Sequence, residues 1–150
     1  MRGDIWLYKE KGFWPDMINR FTNGPYNHCA VDIGGGYIIG ALNRGIVKVH
    51  DSPGVNITVV PIGGKNTDAG IAWLEYKVQQ HLPYGWNDIL SSGLKFLGIP
   101  FYIGQVGRYD CSDLAARYLI IAGASQPLGL LADDPQMISP NDIARAYGVL

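Results

Sequence analysis

Residues 109–123 read YDCSDLAARYLIIAG, and this stretch decides the fold. Between Cys111 and Ala122 only Asp113 and Arg117 carry charge. A helix that is apolar almost all round belongs in an interior, and Gly123 is a natural stop. The pattern predicts a buried helix opening at Cys111. A cysteine there meets unpaired N–H groups and about half a positive charge, which favour thiolate and lower its pKa. The same N–H groups can hold an oxyanion. A small, inert core residue fits the position equally well, so both readings of Cys111 stay open at this point.

A thiolate nucleophile works with a base, usually histidine. The chain has His28, His50 and His81, all of which precede Cys111. Any Cys/His pair must therefore run histidine first. His28 opens the β-favouring run NHCAVDI, residues 27–33. Strand alternation places His28, Ala30 and Asp32 on one face and Cys29, Val31 and Ile33 on the other. Cys29 joins an apolar row and reads as core, while His28 is left to look into a groove. His81 is expected to close a helix, where a cation complements the dipole. His50 precedes a turn and reads as surface.

Around these residues the organisation is that of an α+β chain. Gly3-Asp4 leads into a short strand, Ile5 to Tyr8. Asp16 to Phe21 reads as a short helix closed by Asn23-Gly24-Pro25. Gly34-Gly35-Gly36 between NHCAVDI and YIIGAL is a hairpin signal. Ile46 to His50 and Asn56 to Ile62 are further strands. Ile71, Leu74, Val78 and Leu82 lie at helical spacing, with Pro83 as the stop. Ile89, Leu90, Leu94 and Leu97 suggest another helix. Ser139-Pro140-Asn141-Asp142 opens a last one, with Ser as N-cap and Pro in first position.

The bulk properties set limits. With 150 residues, 47% of them apolar, the chain fits a single domain, residues 1–150, with one core. A formal net charge of -1, without a Lys/Arg block, argues against nucleic acid as partner. Charges at Asp4, Lys9, Glu10 and Lys11 leave no room for a signal-peptide apolar region, and no run suits a transmembrane segment. The expectation is a protein that is cytoplasmic as synthesised. Two cysteines are too few for a disulfide framework, although one Cys29–Cys111 bridge is compatible with the sequence. No metal-ligand cluster can be assembled, Gly63-Gly64-Lys65 lacks phosphate-loop spacing, and no cofactor is expected. The acids Asp133-Asp134 read as solvated loop, and the tryptophans as core or groove wall.

The string at Cys111 resembles the nucleophile segment of the NlpC-type cell-wall peptidases, an aromatic-Asp-Cys-Ser run opening a buried helix. NHCAVDIGGGYIIGAL, residues 27–42, resembles the histidine strand and hairpin of the same superfamily. Histidine before cysteine is similar to the circularly permuted branch, which includes YiiX-like hydrolases and the lecithin–retinol acyltransferase group. Gly3-Asp4-Ile5 and Ser139-Pro140-Asn141-Asp142 also resemble YiiX-like features. The resemblance implies a permuted papain-like fold, a small antiparallel sheet packed on helices, with Cys111 as nucleophile and His28 as base. Such enzymes carry a third polar side chain that orients the imidazole. Where the permuted branch would have it, this chain has Gly40. The substitutes considered are Asn43, just beyond, and Asp32, on the His28 face of the strand.

The resemblance implies an amidase or peptidase acting on a peptide or amide substrate, with peptidoglycan peptides as the first substrate class. Reaching a cell wall would need a carrier assembly such as a phage tail or a secretion apparatus, making the protein virion-associated or delivered to the envelope. Two alternatives stand beside it. One is a lipid acyltransferase or thioesterase using the same dyad, with residues 96–104 as a wall of an apolar groove. The other is a catalytically inactive binding or assembly module, which Gly40 keeps open.

Overall fold

The computed structural model describes residues 1–42, 44–83, 109–124, 135 and 138–150. The expected helix through Ile89 and Leu97, the segment 96–104, the Asp133-Asp134 pair and Asn43 lie outside the described residues.

Among the described residues the chain forms five strands and four helices. In order they are β1 (Ile5–Tyr8), α1 (Phe13–Thr22), β2 (His28–Gly34), β3 (Tyr37–Leu42), β4 (Gly45–His50), β5 (Ile57–Val60), α2 (Thr67–Gln79), α3 (Cys111–Ile121) and α4 (Pro140–Ala146). The strands make one antiparallel sheet in the order β4-β3-β2-β1-β5. This is an α+β arrangement, with α1 inserted between the first two strands.

Alternation sorts the two faces of the sheet. Ile5, Leu7, Cys29, Val31, Ile33, Ile39, Ala41, Ile46 and Val60 face one way and share a core with α2, α3 and α4. Trp6, Tyr8, Ala30 and Ile38 face the other way and cluster with Val49, Ile57 and Val59. Each wholly buried Leu or Ile contributes about 1.5–3 kcal/mol of transfer free energy. The β2–β3 turn uses Gly35 and Gly36 at φ 66° and 78°, a backbone that glycine reaches without strain. α3 lies against α2 where Gly70 meets the ring of Tyr118; a Cβ on Gly70 would come within 2.7 Å of that ring. The Tyr118 hydroxyl then donates to Gly3 O at 2.9 Å, tying α3 to the start of the chain.

Several boundaries differ from the sequence expectations. α1 begins at Phe13, three residues earlier than expected, because Pro15 falls in the first turn, where a missing N–H costs nothing. β5 is Ile57–Val60 rather than Asn56 to Ile62; the Ile62 N–H binds Asp4 Oδ1 at 3.1 Å instead of continuing the ladder. α2 ends at Gln79, short of Leu82, whose carbonyl accepts from Ile46 N at 3.3 Å. His81, at φ 50°, is exposed beyond the end of that helix. His50 is also exposed, packed edge-on to Tyr37 with ring centroids 5.3 Å apart.

No helix among the described residues is long and apolar enough to cross a membrane.

Candidate active site

The local sequence fixes the start of α3. Asp110 is the N-cap in extended conformation; its Oδ1 accepts from Asp113 N at 2.7 Å and from Ser112 Oγ at 3.0 Å. With the Asp113 N–H taken by the cap, the N–H groups of Cys111 and Ser112 head the helix, where no intrahelical acceptor exists for them. Cys111 is 5% exposed and belongs to the core shared by sheet and helices.

His28 is the first residue of β2 and pairs with Tyr8 across the β1–β2 ladder. The two rings lie 5.2 Å apart between centroids, tilted at 47°. Tyr8 is itself held, since its hydroxyl donates to Asp51 Oδ2 at 2.9 Å. Burial, reinforced by Asp51, pushes the Tyr8 phenol up, so it stays neutral beside the imidazole. Just before His28, the buried Asn27 grips the backbone of Glu10. Its Oδ1 accepts from Glu10 N at 3.1 Å and its Nδ2 donates to Glu10 O at 2.9 Å.

Cys111 and His28 lie close enough, where β2 begins, for each to act on the other's titration. For His28, burial works against the charged form. The charge and hydrogen bond of Cys111, followed by the charge of Glu10, outweigh it, and the imidazole pKa is raised. Cys111 moves the other way, to well below the ordinary thiol range. A hydrogen bond from the Cys29 side chain favours its thiolate, burial opposes it, and the charge and hydrogen bond of His28 and a Cys29 backbone hydrogen bond add to the lowering. Both shifts favour a thiolate–imidazolium pair. Chemically, that arrangement can attack an electrophilic carbonyl and then protonate a leaving group.

Gly40, the position where the resemblance implies an orienting side chain, lies close to the imidazole. A Cβ built on Gly40 would lie 3.5 Å from His28 Nε2, 3.1 Å from the Ala30 methyl and 3.4 Å from Cys29 O. Gly40 thus stands beside His28 Nε2 and itself brings no side chain there. Asp32 does not substitute for it. Four residues along β2 place it about 13 Å from His28, and its carboxylate is occupied elsewhere. Oδ1 accepts from Gly34 N at 2.7 Å, and Oδ2 pairs with the Met1 ammonium at 3.4 Å. The expectation of Asp32 as a substitute orienting residue is therefore corrected. Asn43 lies outside the described residues.

Cys29 is fully buried, as alternation predicts, in the same core cluster as Cys111. Both cysteines are free thiols. Burial, then the hydrogen bond and charge of Cys111 and the charge of Asp110, holds the Cys29 thiol well above its ordinary range. Sequence reasoning missed the influence of Cys29 on Cys111, together with Tyr8, Asn27 and Glu10. Alternation and residue type could have flagged only Tyr8, whose strand precedes the histidine hairpin.

Among the described residues no group of three or more His, Cys, Asp or Glu side chains is placed to hold a metal ion. No protein-family model matches the chain, and no curated protein matches it.

Proposed function

We propose that this chain is a cysteine hydrolase, an amidase or peptidase of permuted papain-like fold, with Cys111 as nucleophile and His28 as general acid and base. The observation that carries the reading is that Cys111, in the first turn of a buried helix, and His28, which precedes it in the chain, are near enough to shift each other's ionisation in opposite directions. The chemistry follows from the geometry. The Cys111 thiolate adds to a substrate carbonyl, and the N–H groups heading α3 receive the developing oxyanion. The His28 imidazolium gives its proton to the leaving amine as the C–N bond breaks, leaving a thioester on Cys111. Neutral His28 then takes a proton from water, whose oxygen attacks the thioester. The carboxylic acid departs and the thiolate–imidazolium pair is restored.

Peptidoglycan stem peptides are the first substrate class to test, on the strength of the sequence resemblance, and a phage tail or secretion apparatus is the kind of carrier such a role requires. Gly40 supplies no side chain beside His28 Nε2, which supports a dyad rather than a triad among the described residues. The test is digestion of muropeptides and of simple peptide amides and esters, read by mass spectrometry, with Cys111→Ala as control. Release of new termini by the intact chain alone, with an acyl adduct mapped to Cys111, is the expected result. Absence of turnover on every substrate, with a reactive Cys111, would move the protein to the binding-module reading.

A further inference from the structure

We propose that Tyr8 is a positioning residue for His28: its ring, tethered through the hydroxyl to Asp51, is the wall that holds the imidazole in place where Gly40 supplies no side chain. The inference deepens the hydrolase reading and rests on His28 being the imidazole that serves Cys111.

Three observations carry it. The first is register. Tyr8 and His28 are direct partners across the antiparallel β1–β2 ladder, so their side chains leave the same face of the sheet side by side. The second is contact. The two ring centroids lie 5.2 Å apart at a tilt of 47°, inside the range over which aromatic rings attract. The third is the tether. The Tyr8 hydroxyl donates to Asp51 Oδ2 at 2.9 Å, across 43 positions of sequence. Asp51 is fixed in turn, since its N–H donates to Gly36 O at 3.0 Å and its Oδ1 accepts from Ser52 N at 2.8 Å.

A histidine side chain turns about two bonds, and its terminal torsion is broad. A triad narrows that freedom with a hydrogen bond to the far nitrogen. A wall narrows it by occupying space, provided the wall itself cannot move. Tyr8 meets that condition. It is 9% exposed, clusters with Trp6, Ala30 and Ile38, and pairs with Ile57 on its other side. With its backbone in the sheet and its hydroxyl on a fixed carboxylate, the ring is held at both ends. Gly40 is near enough that a Cβ there would lie 3.5 Å from His28 Nε2, yet it offers no hydrogen-bonding group of a side chain. A phenylalanine at position 8 would fill the same space without the tether. That difference separates positioning from core filling.

The experiment reads the full-length chain in two ways, by iodoacetamide rate at Cys111 near neutral pH and by NMR of the His28 imidazole, assigned by its loss in His28→Ala. In the parent, the ring current of Tyr8 should displace the His28 signals from those of the exposed His81. Tyr8→Leu should abolish that displacement and slow alkylation about threefold to tenfold, less than His28→Ala does. Asp51→Ala, which keeps the ring but cuts the tether, should go part of the way on both readouts. Tyr8→Phe should match it, and combining the two should cost nothing more. Asp51→Asn, whose amide oxygen still accepts, should recover most of the loss. A merely structural role would lower the denaturation midpoint and leave the folded protein's His28 signals and alkylation rate alone. If Tyr8→Leu folds and alkylates within about twofold of the parent rate, the proposal is overturned. If Tyr8→Leu does not fold, unchanged His28 signals and rate in Asp51→Ala overturn it. Neither measurement needs a substrate. Failure of every hydrolysis assay with these shifts intact would sink the hydrolase reading alone. An unchanged Tyr8→Leu beside a slowed His28→Ala would sink this proposal alone.

Discussion

Asn141, near the start of α4, holds both backbone polar groups of Tyr26, two residues before His28. Its Oδ1 accepts from Tyr26 N at 3.0 Å and its Nδ2 donates to Tyr26 O at 2.7 Å and to Thr22 Oγ1 at 2.6 Å. Asn141 is 0% exposed, so these groups have no water to turn to. Asn141→Ala leaves a buried N–H and a buried C=O of Tyr26 unpaired, which should cost about 2–4 kcal/mol. Chemical denaturation should report that loss. Because the freed segment leads directly into β2, thiol reactivity at Cys111 should also fall in whatever fraction stays folded. An unchanged denaturation midpoint would show that the clamp carries no energy.

The cap beside it gives a smaller, separable effect. Ser139 N and Oγ both meet Asp142 Oδ2, at 2.9 and 2.7 Å, and Ser139 Oγ accepts from Asp142 N at 3.2 Å. Ser139→Ala removes the cap donor and acceptor and should destabilise by about 1 kcal/mol. Alkylation of Cys111 should be unaffected at temperatures where the protein is folded. The contrast with Asn141→Ala distinguishes holding α4 from holding the histidine strand.

Gly40 offers the most local test of the dyad. A methyl there would meet the Ala30 methyl at 3.1 Å, and it would sit 3.5 Å from His28 Nε2. Gly40→Ala should therefore destabilise by about 1–3 kcal/mol through crowding, and should displace the imidazole from Cys111, slowing alkylation several-fold. Ala30→Gly removes the methyl being struck. The double variant should recover part of the stability, a non-additivity that a double-mutant cycle reads directly. Additive losses would place the strain elsewhere than between these two side chains.

How much of this was legible in the sequence depends on the range of the interaction. Short-range chemistry read well. Gly35-Gly36 requires a turn, Ser139-Pro140 requires a helix start, and the alternation in β1 and β2 predicts which residues face the helices. The start of α1 is harder to read, because Pro15 can end a helix or sit in its first turn, as it does here. Asp32 shares a face with His28, but four residues of strand put it far beyond hydrogen-bond reach. What could not be read was which side chains meet across the fold. Alternation sends Cys29 to the core, but only the docking of α3 decides that the residue it meets there is Cys111. The Asn27 grip on Glu10 spans 17 positions between two segments with no shared pattern.

The two thiols should behave very differently toward a small electrophile. Cys111 is 5% exposed with its thiol well below the ordinary range, whereas Cys29 is 0% exposed with its thiol well above. Thiolate fraction and access both favour Cys111. Limited iodoacetamide near neutral pH, followed by peptide mapping, should label Cys111 first, and Cys29 should react only on unfolding. Equal labelling in the folded chain would contradict the placement of Cys29.

The pH dependence of Cys111 follows from the directions of two shifts. Its thiol loses the proton below the ordinary thiol range, so reactivity should rise with pH through that depressed midpoint. His28 keeps its proton above the usual imidazole value, so the acid needed by a leaving amine should be lost only as pH climbs through that raised value. Amide turnover should therefore be bell-shaped, with the ion pair present between the limbs. Alkylation, which needs no acid, should show the rising limb without the fall. His28→Ala removes the charge and one hydrogen bond from Cys111, so its rising limb should move toward the ordinary thiol range near 8.5, and the falling limb should vanish with turnover itself. Glu10→Gln, which removes only a more remote charge, should draw the falling limb down slightly and leave the rising limb nearly in place. If His28→Ala alkylates with the parent's pH profile, the imidazole does not act on Cys111 and the hydrolase reading fails. If Glu10→Gln proves as damaging as His28→Ala in a folded protein, then Glu10 is a full third member of the site and the dyad becomes a triad.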